Sequence, residues 1–189
     1  MNTLERIMVQ GALKAQTKYK KMTGGWWLWH GPESFLQHQV AAAIAEAEFY
    51  VFTEASPKLI RDEFDHPPQG APPKGMRKRF DIVVWSNKRN EIKALVEIKR
   101  VGTLDYVLKD AQKLERFLKQ KTFSSGSGYL LLYSEAINVK TLEEKWRVLG
   151  EELGNRWSAV QPPKFESPKG GEWSYSFHFL KYRSTRVGV

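Results

Sequence analysis

Hydrophobic positions along this chain repeat with two periods, and each change of period marks an element. Over residues 3–21, Leu4, Ile7, Met8 and Ala12 form a helical stripe that becomes basic at Lys14, Lys18, Lys20 and Lys21. Gly24-Gly25 ends it. A second helix is predicted from Pro32, which suits a first helical position, to about Ala47, with Phe35, Leu36, Val40, Ala43, Ile44 and Ala47 on its apolar side. The small residues Ala41 to Ala43 allow it to approach a sheet closely. A third helix over 103–121 buries Leu104, Val107, Leu108, Ala111, Leu114, Phe117 and Leu118. A fourth runs from Thr141 to Leu153, with Thr141 as N-cap and Glu144 three residues on, a capping-box pattern.

Between the helices the pattern shortens to runs of β-branched and aromatic residues. Phe49 to Thr53 reads as a strand, and the apolar runs on either side of Ser86 to Glu91 read as a β-hairpin. Tyr129 to Tyr133 is the next strand; following a helix, it can lie parallel to the second hairpin strand through a right-handed crossover. Trp173 to Tyr182 alternates strictly and is expected to close the sheet at one edge. Residues 57–79, with Pro57, Pro67, Pro68, Pro72 and Pro73, are expected to be irregular, and Gln161 to Gly171 reads as a linker. The order is α/β: a central mixed sheet with an αβββαβ core flanked by helices. Residues 1–189 read as one domain, with a helical extension over 1–30, the core over 31–135 and a further helix and edge strand over 136–189.

Composition narrows the class. With 189 residues, 41% of them hydrophobic and 13% aromatic, the chain can close a core. It has no cysteine, so disulfides and thiolate metal sites are excluded. No apolar run approaches the ~20 residues that span a bilayer, and the first residues lack a signal peptide's apolar centre. A soluble, cytoplasmic protein with no membrane partner is expected. The net charge of +9 favours a phosphate-rich partner.

Candidate chemistry concentrates between Arg79 and Arg100. Side chains alternate along a strand, so Glu97 and Lys99 share one face while Val96 and Ile98 share the other. Asp81 opens the preceding strand and can reach the same place. Two carboxylates and an ammonium on otherwise apolar strands call for a divalent cation and a polyanionic substrate. Asp81 followed by Glu97-Ile98-Lys99 resembles the D…E-x-K signature of the PD-(D/E)XK nuclease superfamily, whose fold is restriction-endonuclease-like. Phe80 stands where that signature has proline. The resemblance covers residues 31–135.

It implies a magnesium-dependent deoxyribonuclease, with an endonuclease expected, in which Asp81, Glu97 and the Ile98 carbonyl hold Mg²⁺ (Mn²⁺ as substitute) and Lys99 assists. It also implies a further acid on the first core helix. Glu33 is the candidate, with Glu46 and Glu48 as rivals; its other reading is as a complement to the helix dipole. Lys109, Gln112 and Lys113 look similar to the substrate-facing residues on the superfamily's following helix. Arg77, Lys78 and Arg79, at the end of the proline-rich stretch, could grip backbone phosphates. Glu54, at the end of its strand, could border the acid cluster or cap a turn into Ser56-Pro57, and the turn is favoured. Trp26, Trp27 and Trp29 are read as packing rings rather than as platforms for unpaired bases. DNA, branched or single-stranded included, is the expected partner of a stand-alone or homodimeric enzyme. A non-catalytic nucleic-acid-binding or assembly subunit on the same fold is the alternative. The histidines His30, His38, His66 and His178 lack zinc-hydrolase spacing, and no phosphate-binding glycine loop of the ATPase type is present.

Overall fold

The computed structural model describes residues 1–62, 79–87, 91–119, 126–167 and 173–182. Helix α1 (Thr3–Thr23) starts at Asn2, whose side chain accepts the Glu5 N–H while Glu5 accepts the Asn2 N–H, and stops at Gly24 in the left-handed region. A single 3₁₀ turn (Leu28–His30) leads to α2 (Glu33–Glu46), β1 (Tyr50–Ala55) and the short α3 (Pro57–Asp62). Then come β2 (Phe80–Trp85), β3 (Ile92–Arg100), α4 (Leu104–Leu118), β4 (Ser127–Ala136) and α5 (Val139–Leu153). Strands β5 (Trp157–Ala159), β6 (Lys164–Glu166) and β7 (Ser174–Tyr182) complete the described chain.

The seven strands form one mixed sheet in the order β1-β2-β3-β4-β7-β5, with β6 also paired to β7. All pairings are antiparallel except β3 with β4, which α4 connects as a crossover. The αβββαβ order is therefore present, with α3 inserted after its first strand. Helices cover both faces. On one, Met8, Ala12, Leu36, Val40 and Ile44 pack on Ile82, Val84, Val96, Ile98, Leu131 and Phe179. On the other, Val107, Leu114, Trp146 and Leu149 pack on Val83, Leu95, Leu130 and Leu132. Burial on both faces is why β3 and β4 read as nearly continuous apolar runs. Among the described residues no helix is long and apolar enough to cross a membrane.

Four expectations are corrected. Strand β7 is not an edge, because β5 and β6 take up the side that β4 leaves free. These two partners are three residues each, too short to show alternation, and β6 lies within the stretch read as a linker. Residues 57–62 are helical: Pro57 opens the helix, where its missing N–H costs nothing. Helix α5 begins earlier than Thr141 because Asn138 is the N-cap and accepts the Thr141 N–H at 2.9 Å. Ala43 faces a helix rather than the sheet: a Cβ on Gly11 of α1 would stand 3.0 Å from Ala43 Cβ, so glycine is what lets α1 and α2 meet.

Candidate functional site

Antiparallel pairing of β2 with β3 sets Ile82 opposite Val96, and one residue further along it brings Asp81 to Glu97. Asp81 Oδ2 accepts the Ile98 N–H at 2.6 Å, which fixes its carboxylate against β3. Glu97 is 3% exposed. Its Oε1 lies 2.6 Å from Lys113 Nζ, yet the angles do not suit a hydrogen bond and this oxygen receives none among the described residues. The contact is chiefly one of charge. The Lys113 ammonium is oriented by the Arg79 carbonyl, to which it donates at 2.9 Å.

Lys99 projects from the same strand as Glu97, but its ammonium lies 3.5 Å from Glu33 Oε2 and 3.9 Å from Asp110 Oδ2. Asp110 also stands 3.9 Å from Lys113. Glu33, in the first turn of α2, accepts the Arg100 N–H through Oε1 at 2.8 Å. One turn on, Gln37 Nε2 donates to the Asp81 carbonyl at 2.7 Å and to Glu54 Oε1 at 3.0 Å. A cavity of about 240 Å³ opens here, lined by Glu33, Ser34, Gln37, Glu54, Asp81 and Ile98. Glu54 has φ +55°, a left-handed backbone rare for glutamate and costly enough to be notable at a site.

Ionisation is uphill for both central acids. Burial raises Asp81 to about 6, with the Glu54 charge adding to it and the Ile98 N–H, Lys113 and Lys99 opposing. Burial also pushes Glu97 well above the ordinary range, reinforced by Asp81 and countered by Lys113. Lys99 behaves oppositely: burial works against its charge, but Glu33, Asp110 and Asp81 outweigh it and the ammonium is strengthened. The site thus holds more buried carboxylate than its lysines neutralise comfortably.

The predicted residues divide. Asp81, Glu97, Lys99, Glu33, Ile98 and Lys113 are brought together, Lys113 at the acids rather than on the outer surface. Lys109 and Gln112 point outward on α4, Lys109 across the exposed Tyr106 ring. Arg79 is exposed at the start of β2, whereas Arg77 and Lys78 lie outside the described residues. Glu46 and Glu48 are exposed at the far end of α2. Two participants escaped the sequence reading, Asp110 and Gln37, and a third, Glu54, favoured there as a turn residue, lies within β1 and borders the cavity instead. Asp110 carried a signal, as a charge at a stripe position between Val107 and Leu114. Gln37 was likewise a polar residue within an apolar stripe, and it is 5% exposed. Glu54 had only its place at a strand end.

Among the described residues no set of three or more His, Asp or Glu side chains is arranged to hold a metal ion. The donor chemistry still fits a magnesium-type ion, which commonly takes one or two carboxylates and completes its shell with water and phosphate. Half-buried Asp81 and buried Glu97 are mutually repelling carboxylates, and Glu97 Oε1 has no hydrogen-bond donor among the described residues. Comparison of the chain with protein families, with curated proteins and with solved structures returns no match in any of the three.

Proposed function

We propose that this chain is a metal-dependent nuclease that hydrolyses DNA phosphodiester bonds on a restriction-endonuclease-like scaffold. The observation that carries the reading is the pairing of half-buried Asp81 with buried Glu97 on adjacent strands, both carboxyls raised, with Lys113 against Glu97 and Lys99 projecting from the same strand. Asp81, Glu97 and the Ile98 carbonyl are the groups that would hold Mg²⁺. Once bound, the ion would supply a polarised phosphoryl oxygen and an acidified water. Lys99, kept charged by Glu33 and Asp110, is placed to stabilise negative charge developing on the phosphate. Gln37 is a positioning residue: it holds the Asp81 backbone and the Glu54 carboxylate together.

The test is incubation with supercoiled, linear, single-stranded and branched DNA in Mg²⁺ or Mn²⁺. Asp81→Asn, Glu97→Gln and Lys99→Ala are each expected to lower cutting by about 100-fold or more, by analogy with loss of one preorganised charge-stabilising group. Their unfolding should remain cooperative. Equal cutting by wild type and variants would dispose of the proposal.

One observation favours a second reading, that of a nucleic-acid-binding subunit without catalysis. Lys113 already supplies a cation to Glu97. That reading expects DNA binding, no metal-dependent cutting and no Mn²⁺ uptake by calorimetry.

A further inference from the structure

A second concavity lies on the side of the sheet covered by α1, and nothing in the catalytic proposal uses it. Its volume is about 280 Å³, and Lys20, Gly24, Gly25, Trp26, Trp27 and Tyr175 line it. That is close to the ~300 Å³ at which small-ligand pockets begin, so it suits one planar ring rather than an extended molecule. Trp27 and Tyr175 are stacked with centroids 4.7 Å apart, and the Lys20 ammonium lies 5.4 Å from the Trp27 ring centre. Gly24 and Gly25 both have positive φ, and the space where their Cβ atoms would stand is open.

Two facts go beyond what packing needs. Trp26 is 59% exposed, with the His30 ring edge-on to it at 4.9 Å. Trp27 is 3% exposed, and its buried indole N–H has no acceptor among the described residues. A buried donor without a partner is a standing cost, so this ring is held in place at some expense. The 3₁₀ turn that follows Trp27 leads along the chain toward the acid site. Two residues after Trp27, the Trp29 carbonyl accepts from Arg100 Nη1 at 3.2 Å, and the Arg100 guanidinium lies 5.2 Å from the Trp29 ring centre. Arg100 in turn donates its N–H to Glu33.

An aromatic slot with an ammonium at its wall, and an arginine between it and Glu33 of the acid site, matches how unpaired nucleotides are held: bases on rings, phosphates along cations. We infer that the Lys20–Trp26–Trp27–Tyr175 pocket binds an unpaired base of a single-stranded nucleic acid whose backbone runs past Arg100 toward Asp81 and Glu97. This rests on the nucleic-acid reading above and deepens it, since it selects single-stranded or frayed substrate over continuous duplex. Lys20 is now paired with Glu166 of β6, so an incoming phosphate competes with that carboxylate.

The experiment is fluorescence anisotropy of the full chain with short labelled oligothymidylate, oligouridylate and a duplex of equal length, in EDTA so that cutting plays no part. Wild type is expected to prefer the single strands. Trp26→Ala should weaken them by about tenfold and Trp26→Phe much less, since stacking carries the contact. Duplex binding should be unchanged by either. The thymidine and uridine arms distinguish DNA from RNA as the source of the strand. Equal single-strand affinity for wild type and Trp26→Ala, or an unlabelled acidic peptide displacing the oligonucleotide as well as a single strand does, overturns the inference. Glu97→Gln separates the two proposals. If Trp26→Ala binds normally while wild type cuts and Glu97→Gln does not, the pocket assignment fails alone. If single strands bind through Trp26 yet nothing is cut, the nuclease reading fails alone.

Discussion

Asp81 keeps its proton in the folded chain up to about pH 6 but gives it up near its ordinary value of 3.8 once unfolded. Between those values the unfolded state binds fewer protons, so stability falls as pH rises through the window and stays low above it. In EDTA, Asp81→Asn is therefore expected to be more stable than wild type at pH 7.5, by roughly 3 kcal/mol at most for a shift of this size. The gap should close near pH 4, as read by urea unfolding at the two pH values. His178 works in the opposite sense: burial lowers it to about 4, so it costs stability as pH falls below 6.5. Comparing Asp81→Asn with wild type at each pH cancels that contribution. Adding Mn²⁺ at pH 7.5 should raise the melting temperature of wild type and leave Asp81→Asn unmoved. Lys113→Met should tighten Mn²⁺ binding by calorimetry while lowering metal-free stability, because the ammonium now sits against a ligand oxygen. Asp81, Glu97 and Lys99 were legible because charge on an apolar strand stands out against its neighbours. The place of Lys113 was not, since one turn of α4 decides between an outer surface and the acid pair. Only packing of α4 on the sheet shows which way it turns.

At the level of elements, the long periodic segments were readable and the short ones were not. Helix α4 and strands β2, β3 and β4 carry stripes or apolar runs long enough to impose their own form. Three-residue β5 and β6 exist only because β7 offers them a free edge. The start of α5 turned on which of two suitable residues took the cap, and Asn138 binds both the N–H and the hydroxyl of Thr141. Asn138→Ala is expected to cost about 1 kcal/mol in chemical denaturation, and Thr141→Ala clearly less. Gly128 of β4 lies under α4, where an added Cβ would come 2.8 Å from Leu118 Cδ1 and oblige that leucine to turn within the core. Gly128→Ala should thus disturb the helix that carries Asp110 and Lys113. Reduced stability together with weaker Mn²⁺ binding would be its signature.

Across the whole molecule, the sheet is a partition between two hydrophobic cores, and the acid site stands where α2, from one side, and α4, from the other, both reach β2 and β3. The αβββαβ order was visible from the alternation of periods. The wrapping of α1 over one face was not, because a stripe shows that a helix is buried but not against what. The Glu5 carboxylate supplies the missing information: within the first turn of α1, it accepts from Tyr129 of β4 at 3.1 Å and from Lys181 of β7 at 2.8 Å. What reads as an appendage is thereby a keystone, fastened both to a central strand and to β7, the last strand among the described residues. A fragment beginning at residue 31 would leave Met8's and Ala12's partners facing water, and it should self-associate on size-exclusion chromatography where the full chain does so less. Helix α1 therefore cannot complete this fastening until β7, more than 150 residues along the polypeptide, has been made.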